Sequence, residues 1–316
     1  MPDWRKTIDR ALARRADLGF GPLAGYRVLD GEGDGAPDLW IDSFAGHWIA
    51  QGKSPDPPPG LIEAAAGRCK SLWWKHLTQG DKTAPRFLTG LREERFLMEE
   101  HGVRYWIEPS AGYSPGIFLD QRENRRWIMD LARNCADRPL RVLNLFAYTC
   151  GFSAAAAAAG AATASVDLSA RYLDWGRENF VANAIQLSDH QFLKGDTFSW
   201  LRRLAKRGEC FDVAILDPPT FSRGEKGKVF RVEKDFGDLV AQSARLIDPA
   251  GGWLLCSTNS RSMTPDSFKK MSWEGAMAAG RVPESCQPLQ MPPDFPGEDY
   301  LKANRLKIRE KSQKSS

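Results

Sequence analysis

Arg141-Val-Leu-Asn-Leu-Phe146 runs into Ala147-Tyr-Thr-Cys-Gly151, the alanine-rich segment 152–162 and then Ala164-Ser-Val-Asp-Leu-Ser169. A helix-like segment follows to about Asn183, and the stretch closes on Phe211-Asp-Val-Ala-Ile-Leu-Asp-Pro-Pro-Thr-Phe221. Short apolar runs bounded by turns alternate with helix-length segments. The order reads as strand, turn, helix, strand, helix, strand, helix, strand, which is the pattern of an α/β protein with a parallel sheet.

Ligands of open parallel sheets sit outside the carboxyl ends of the strands. Polar residues stand at each of those ends: Asn144, Asp167, Asp196 and Asp217. Asp167 lies 23 residues after Asn144, near the spacing at which an acid meets a ribose in dinucleotide folds. Its carboxylate can accept from both ribose hydroxyls. Asp196, in Lys194-Gly-Asp-Thr197, is placed to take an adenine amino group. Asp217 opens Asp-Pro-Pro-Thr-Phe, where two prolines stiffen the backbone. A single Asp at a strand end is ordinarily a helix cap or turn former. Four polar ends, with Asp-Pro-Pro on the fourth, go beyond capping.

Asp217-Pro-Pro-Thr-Phe221 after an apolar strand resembles motif IV of class I S-adenosylmethionine-dependent methyltransferases. More closely, Asn144-Leu-Phe-Ala-Tyr-Thr-Cys-Gly-Phe152 and Gly116-Ile-Phe-Leu-Asp-Gln-Arg122 are similar to the large-subunit ribosomal RNA methyltransferases I and K/L. Val166-Asp-Leu-Ser-Ala-Arg-Tyr-Leu-Asp-Trp175 adds to the resemblance, as does Gly31-Glu-Gly-Asp-Gly-Ala-Pro-Asp-Leu-Trp-Ile-Asp42, similar to a segment ahead of the catalytic domain in enzyme I. The likeness spans roughly residues 3–263. It implies a Rossmann-like, seven-stranded sheet behind a smaller α+β domain, and S-adenosyl-L-methionine as cofactor. The implied cofactor residues are Phe118, Asp120, Arg122, Asn144, Phe146, Ala147, Tyr148, Thr149, Gly151, Asp167, Leu168, Ser169, Asp196, Thr197 and Asp217. Asp217, Pro218, Pro219, Phe221 and Asn259 are the implied methyl-transfer centre. In the family the segment around Phe118 folds over the cofactor. Arg122 can clamp a methionine carboxylate in bidentate fashion; a salt-bridged, capped helix is the plainer reading of the same residues.

The rest of the chain is consistent with a globular enzyme. At 316 residues it has room for one large domain or two. Its 42% hydrophobic and 27% charged residues support a buried core. No apolar run approaches the roughly 18 residues that suggest a membrane helix, and Met-Pro-Asp-Trp-Arg does not resemble a signal peptide. Six cysteines, with no Cys-x-x-Cys pair, argue against a zinc site and for a reduced, cytoplasmic setting. A net charge of +4 permits an RNA partner without requiring one. No pattern speaks to oligomeric state.

The expected domains are 1–106, a helix and small β-rich unit; 107–310, the methyltransferase unit; and 311–316, a disordered tail. Residues 3–18 read as an amphipathic helix with Trp4, Ile8 and Ala11 on one face. Tyr26–Leu29, Leu39–Asp42, His47–Ala50 and Ser71–Lys75 read as strands, with a helix over Leu61–Cys69. Core packing is the favoured role for most tryptophans here. Asp120 opens a helix to about Asn134, residues 222–234 read as a basic loop able to hold RNA phosphate, and a helix follows from Phe236 to Ile247. Trp253–Ser257 is the fifth strand, and Thr264-Pro265 caps a helix to Ala279. Residues 283–290 and 300–308 supply two antiparallel strands.

Two departures from the family bear on function. The turn 147–151 keeps only one glycine, so it suits an uncharged nucleoside better than a pyrophosphate. That weakens the rival reading, a nucleotide-dependent oxidoreductase. Cytosine C5 methylation needs a thiolate to attack C6. In the cytosine-modifying relatives that cysteine follows the fifth strand; here the corresponding position is Asn259, and Cys256 lies within the strand. The chain therefore resembles the guanine-N7 branch, with direct transfer to a positioned base of ribosomal RNA. Cytosine C5 chemistry and a non-catalytic RNA-binding relative are the alternatives. No PUA or THUMP module fits ahead of Asp3, so gripping RNA is expected of the small domain and the basic segments.

Overall fold

The structure, a computed structural model, describes residues 2–78, 84–112, 114–135, 137–223 and 229–310. The chain divides into two compact units, one formed by 1–123 with 291–299 and the other by 124–290 with 300–316. The sequence places the border at 106 and does not foresee the returning segment. The expected tail, 311–316, lies outside the described residues, as do Gly224 to Lys228 of the expected loop.

In the first unit, helix α1 (Trp4–Arg15) starts at an N-cap Asp3 whose carboxylate accepts from Lys6 N. Strands β1 (Gly25–Asp30), β2 (Leu39–Phe44), β3 (His47–Gly52), β4 (Ser71–His76) and β5 (Arg86–Gly90) form one sheet in that order. Only β3 and β4 pair in parallel, across a connection holding the short helix α2 (Leu61–Ala65). A separate hairpin joins β6 (Phe96–Glu100) to β7 (Val103–Ile107). The sequence reading misses β5 and β6. Trp4, Ile8 and Ala11 of α1 pack against Val28, Ile41, Trp48, Leu72 and Trp74. Burying each large apolar side chain contributes about 1.5–3 kcal/mol.

A buried ionic cluster binds segment 291–299 into this unit. Arg15 donates from Nη2 to Asp34 Oδ2 at 2.7 Å and to the Asp294 carbonyl at 2.7 Å. Arg27 pairs with Asp42 at 2.6 Å and Asp30 at 2.7 Å, and its backbone N donates to Asp294 Oδ2 at 2.8 Å. Gly297 N donates to Asp30 Oδ2 at 2.7 Å. Buried charges persist only when paired and hydrogen-bonded, and these are. Burial still lifts the Asp42 carboxyl, with the Arg27 charge opposing it.

The second unit begins within α3 (Arg122–Arg133). Then come β8 (Arg141–Leu145), α4 (Gly151–Ala158), β9 (Ala162–Asp167), α5 (Ala170–Ala182), β10 (Gln191–Lys194), α6 (Thr197–Lys206) and β11 (Val213–Leu216). A small hairpin, β12 (Phe221–Arg223) with β13 (Val229–Arg231), precedes α7 (Val232–Ala244). The chain continues through β14 (Gly252–Thr258), α8 (Pro265–Ala278), β15 (Arg281–Leu289) and β16 (Lys302–Glu310). The expected loop 222–234 is therefore partly strand and helix, and α7 starts four residues earlier than the apolar pattern suggests. Arg231 N donates to Asp235 at 2.7 Å, fixing that start.

The seven-stranded sheet has the order β10-β9-β8-β11-β14-β16-β15. Neighbours from β10 to β14 are parallel, and β16 runs antiparallel to both β14 and β15. Winding proceeds outward from β8 through β9 to β10, then restarts from β11 on the other side. The reversal between β8 and β11 is a topological switch point, where such sheets hold ligands. Leu143, Leu145, Ala214, Leu216 and Leu254 belong to the core that α6, α7 and α8 cover.

Candidate functional site

The turn after β8 carries the conformations that glycine usually supplies. Phe146, Tyr148 and Cys150 have φ of 57°, 48° and 59°. A side chain in this left-handed region costs roughly 1–2 kcal/mol. Packing holds each residue there. The Phe146 ring meets Phe230 at 5.6 Å, Tyr148 meets Tyr172 edge-on at 4.5 Å, and Cys150 is fully buried. Cys150 approaches α5 where only Gly176 leaves space; a Cβ there would meet the Cys150 sulfur. Ala147 N donates to the Val166 carbonyl at 2.9 Å, tying the turn to β9.

Asp167 ends β9 facing this turn. Its Oδ2 accepts from Tyr148 N at 2.9 Å and its Oδ1 from Ser169 N at 2.8 Å. Each ionised oxygen has capacity for a further bond. Burial lifts the Asp167 carboxyl above its usual range, while the backbone N–H groups of Ser169 and Tyr148 pull it down. Leu168 is exposed beside it, and Ser169 caps α5 through Tyr172 N. Asp196 caps α6, accepting from Ser199 N at 2.9 Å. Leu168, Asp196, Thr197 and Phe198 line a small open cleft together with Phe146 and Phe230, and Ser222, Val229, Asp235 and Asp238 complete its rim. An apolar slot with a carboxylate at its edge suits adenine, and a doubly anchored carboxylate suits a ribose diol. The residues present thus fit a nucleoside methyl donor.

Asn144 departs from its expected place. It is buried one residue inside the strand and donates to Ser153 Oγ at 2.9 Å, which bonds Ser165 Oγ at 2.8 Å. This hydroxyl chain links β8, α4 and β9. Thr149 is likewise buried, and Asn179 donates to its carbonyl at 2.9 Å. Gly151 begins α4. Phe118, Asp120 and Arg122 fall in the first unit. Phe118 is exposed and Asp120 half-buried. The carboxylate that Arg122 grips is that of Asp294: Nη1 donates to Oδ2 at 3.2 Å and Nη2 pairs with Oδ1. Its guanidinium also lies 4.9 Å from the Phe20 ring centre.

After β11, Asp217 Oδ1 accepts from Ser257 Oγ of β14 at 2.6 Å. Pro218 is buried, Pro219 exposed, and Phe221 exposed at the start of β12. Asn259, past the end of β14, is exposed. Cys256 faces the core, fully buried; desolvation pushes its thiol up to about 12, with Ser272 opposing. Next to Asn259, Glu233 Oε1 accepts from Ser262 Oγ at 2.6 Å and Ser260 Oγ at 2.7 Å, which hold its carboxyl below the usual range. Sequence reasoning overlooks Phe198, Phe230 and Ser257. Phe198 follows directly on Asp196-Thr197, but Phe230 and Ser257 carry no local signal because their partners are distant in the chain.

Known proteins with these features are methyltransferases. A family model for S-adenosylmethionine-dependent methyltransferases matches residues 61–308. The Ribosomal RNA large subunit methyltransferase I of Enterobacter sp. (strain 638) is 31% identical over 87% of this chain and 70% of its own length. The Ribosomal RNA large subunit methyltransferase of Deinococcus radiodurans is 32% identical over 96% of this chain and 79% of its own length. Among solved structures, the methyltransferase SMU.776 complexed with SAH superposes with a TM-score of 0.84 at 28% identity, covering 96% of this chain and 80% of that one. A SAM-dependent methyltransferase from Streptococcus mutans gives 0.82 at 27% identity, with the same coverage. The anchored Asp167, the cleft beside it and these likenesses agree: the chain belongs to the S-adenosylmethionine-dependent methyltransferase family and is an enzyme that takes S-adenosylmethionine as its cofactor.

Proposed function

We propose that this enzyme methylates a base of large-subunit ribosomal RNA, and that the atom is guanine N7. The curated relatives' names motivate the substrate class. The state of Cys256 carries the choice of atom: the thiol of β14 is buried, turned into the core and held protonated, and an exposed Asn259 stands where a nucleophilic cysteine would be needed. A ring carbon needs such a thiolate. A ring nitrogen with its own lone pair does not.

The bound cofactor supplies a methyl group on a sulfonium sulfur. In this reading Asp167 holds the ribose hydroxyls, Asp196 the adenine amino group, and Leu168 and Phe198 the adenine faces. Phe146, Ala147 and Tyr148 shape the turn beneath. The N7 lone pair would accept the methyl group, and the electrons of the broken carbon–sulfur bond would stay on sulfur. No proton leaves N7, so positive charge develops on the base. In this reading Asp217, which accepts from Ser257, stabilises that charge. Pro218 and Pro219 stiffen its backbone, Phe221 stacks on the extruded base, and Asn259 hydrogen-bonds its edge. Arg122, engaged by Asp294, is assigned to the fold and not to the cofactor.

The test is incubation with labelled S-adenosylmethionine and unmodified large-subunit RNA, followed by mass spectrometry of the nucleosides. Labelled 7-methylguanosine is the expected product. Labelled 5-methylcytidine would overturn the thiol-free mechanism. An RNA left unlabelled by a protein that binds the cofactor would overturn the substrate class.

A further inference from the structure

The hairpin β12–β13 has two unlike faces. Phe221 pairs with Arg231, Ser222 with Phe230, and Arg223 with Val229. Directly opposed residues share a face and successive residues alternate. Ser222 and Phe230 therefore form one face and line the cofactor cleft, which Val229 also reaches from the start of β13. Phe230 is 7% exposed and packs near Phe146 at 5.6 Å and Phe198 at 6.2 Å. The other face carries Phe221 and Arg231. Phe221 is 48% exposed, unusual for so large an apolar side chain. The Arg231 guanidinium lies 5.9 Å from the Phe221 ring centre, within cation–π reach.

Acids near Arg231 are already occupied. Asp235 takes the Arg231 backbone N–H at 2.7 Å, and Glu233 takes the hydroxyls of Ser260 and Ser262. Glu233 feels the Arg231 charge only at a distance. Among the described residues the Arg231 guanidinium enters no ion pair. A cation beside an exposed ring is the chemistry that meets a nucleotide: the ring stacks on a base and the planar fork grips its phosphate.

We infer that Arg231 is a substrate-binding residue that works with Phe221, holding a phosphate of the target nucleotide while Phe221 stacks on the base. The inference rests on the RNA reading above. The hairpin's inner face touches the cofactor cleft and its outer face would touch the RNA, so one short ribbon sets both against each other. Phe230 anchors the ribbon, which keeps the outer pair at a fixed distance from the transfer centre.

Arg231→Ala, Arg231→Lys and Phe221→Leu, with the double variant Arg231→Ala/Phe221→Leu, test this. The probe is unmodified large-subunit RNA transcript. Cofactor affinity by calorimetry checks that each variant is folded and is expected to stay within about twofold of wild type. Arg231→Ala is expected to raise KM for RNA roughly tenfold, and to lower the salt dependence of RNA binding by about 0.7–0.9 in log–log slope, the value of one phosphate contact. Arg231→Lys should keep the slope and recover part of KM. The double variant should lose less than the sum of its parts. An unchanged KM and slope in Arg231→Ala, with wild type still methylating the RNA, would overturn the inference and leave the RNA reading standing. A wild-type protein inert on RNA would instead overturn that reading, and this inference with it.

Discussion

Replacing Asp167 by alanine separates cofactor binding from chemistry. The carboxylate spends one bond per oxygen on Tyr148 N and Ser169 N, at 2.9 and 2.8 Å, and keeps capacity on both for a ribose diol. Hydrogen bonds to a charged group contribute about 1.5–3 kcal/mol each. Two of them amount to about 3–6 kcal/mol, or roughly 100- to 10,000-fold in Kd at about 1.4 kcal/mol per tenfold. Water entering the vacated space would restore some of this, so a loss near 100-fold is expected. The two backbone N–H groups also lose their acceptor, and the left-handed Tyr148 loses a tether. Asp167→Asn, which keeps one acceptor oxygen, serves as the control for folding. Asp217 makes its bond to Ser257 instead and faces the other side of the switch point. Asp217→Ala should hold Kd for the cofactor within about threefold and cut single-turnover methylation at least 100-fold, a loss typical of removing one preorganised electrostatic group. Calorimetry with S-adenosylmethionine and single-turnover assays with RNA measure both. Equal losses of cofactor affinity in the two variants would refute this division of labour.

Cys256→Ala should cost about 1 kcal/mol of stability and leave methyl transfer within twofold; a loss of 100-fold in turnover would mean that the thiol reaches substrate. Arg122→Ala leaves the Asp294 carboxylate buried without its partner, and should destabilise the protein by about 3–5 kcal/mol in denaturant melts. If Arg122 instead served the cofactor, Kd would rise with little change in the melt. Gly176→Ala drives a methyl group against the Cys150 side chain, 2.8 Å from its Cβ, and should cost about 1–3 kcal/mol while loosening the turn after β8. A melt unchanged from wild type would show that the turn yields freely. The acceptor form of Asp167 is the carboxylate, and burial lifts its protonation above the ordinary value near 3.9. Cofactor affinity should therefore fall with pH before ordinary aspartates titrate. In the cofactor-free protein the sign is opposite: the stability contribution of a raised carboxyl is complete below the unfolded value and is lost as pH rises through the folded one. Calorimetry and melts across that window read the two effects, and affinity that holds constant until pH 4 would contradict the first.

The sheet was legible because β8, β9, β11 and β14 are apolar runs closed by polar turns, a signal local to each strand. The cap at Thr264 was legible for the same reason; Asp196 and Ser169, read from the sequence as cofactor residues, also bond a backbone N–H three residues on. What escaped depends on distance along the chain. The partner of Arg122 lies 172 residues away, so nothing beside Arg122 announces that Asp294 will occupy it. Strands β12 and β13 are three residues each and rich in charge, so their pattern looks like a loop. Asn144 reads as a ligand-facing residue at the end of the run 141–146 because its buried partners, Ser153 and Ser165, lie 9 and 21 residues further on.

The ionic cluster around Asp294 also governs how the protein is made. The first unit needs segment 291–299, and the whole of the second unit except 300–316 is encoded before that segment. During synthesis, Arg122 emerges without the Asp294 carboxylate that is to neutralise it, and Arg15 and the Arg27 backbone N–H emerge without the Asp294 oxygens they bond. Ribosomes add about 5–20 residues per second, and the 167 residues from 124 to 290 separate the two parts of this unit. The amino-terminal strands thus wait on the order of 10–35 s for their last component. The methyltransferase sheet lacks only β16 at that moment. The first unit therefore closes only shortly before β16 completes the second, although its strands are made first.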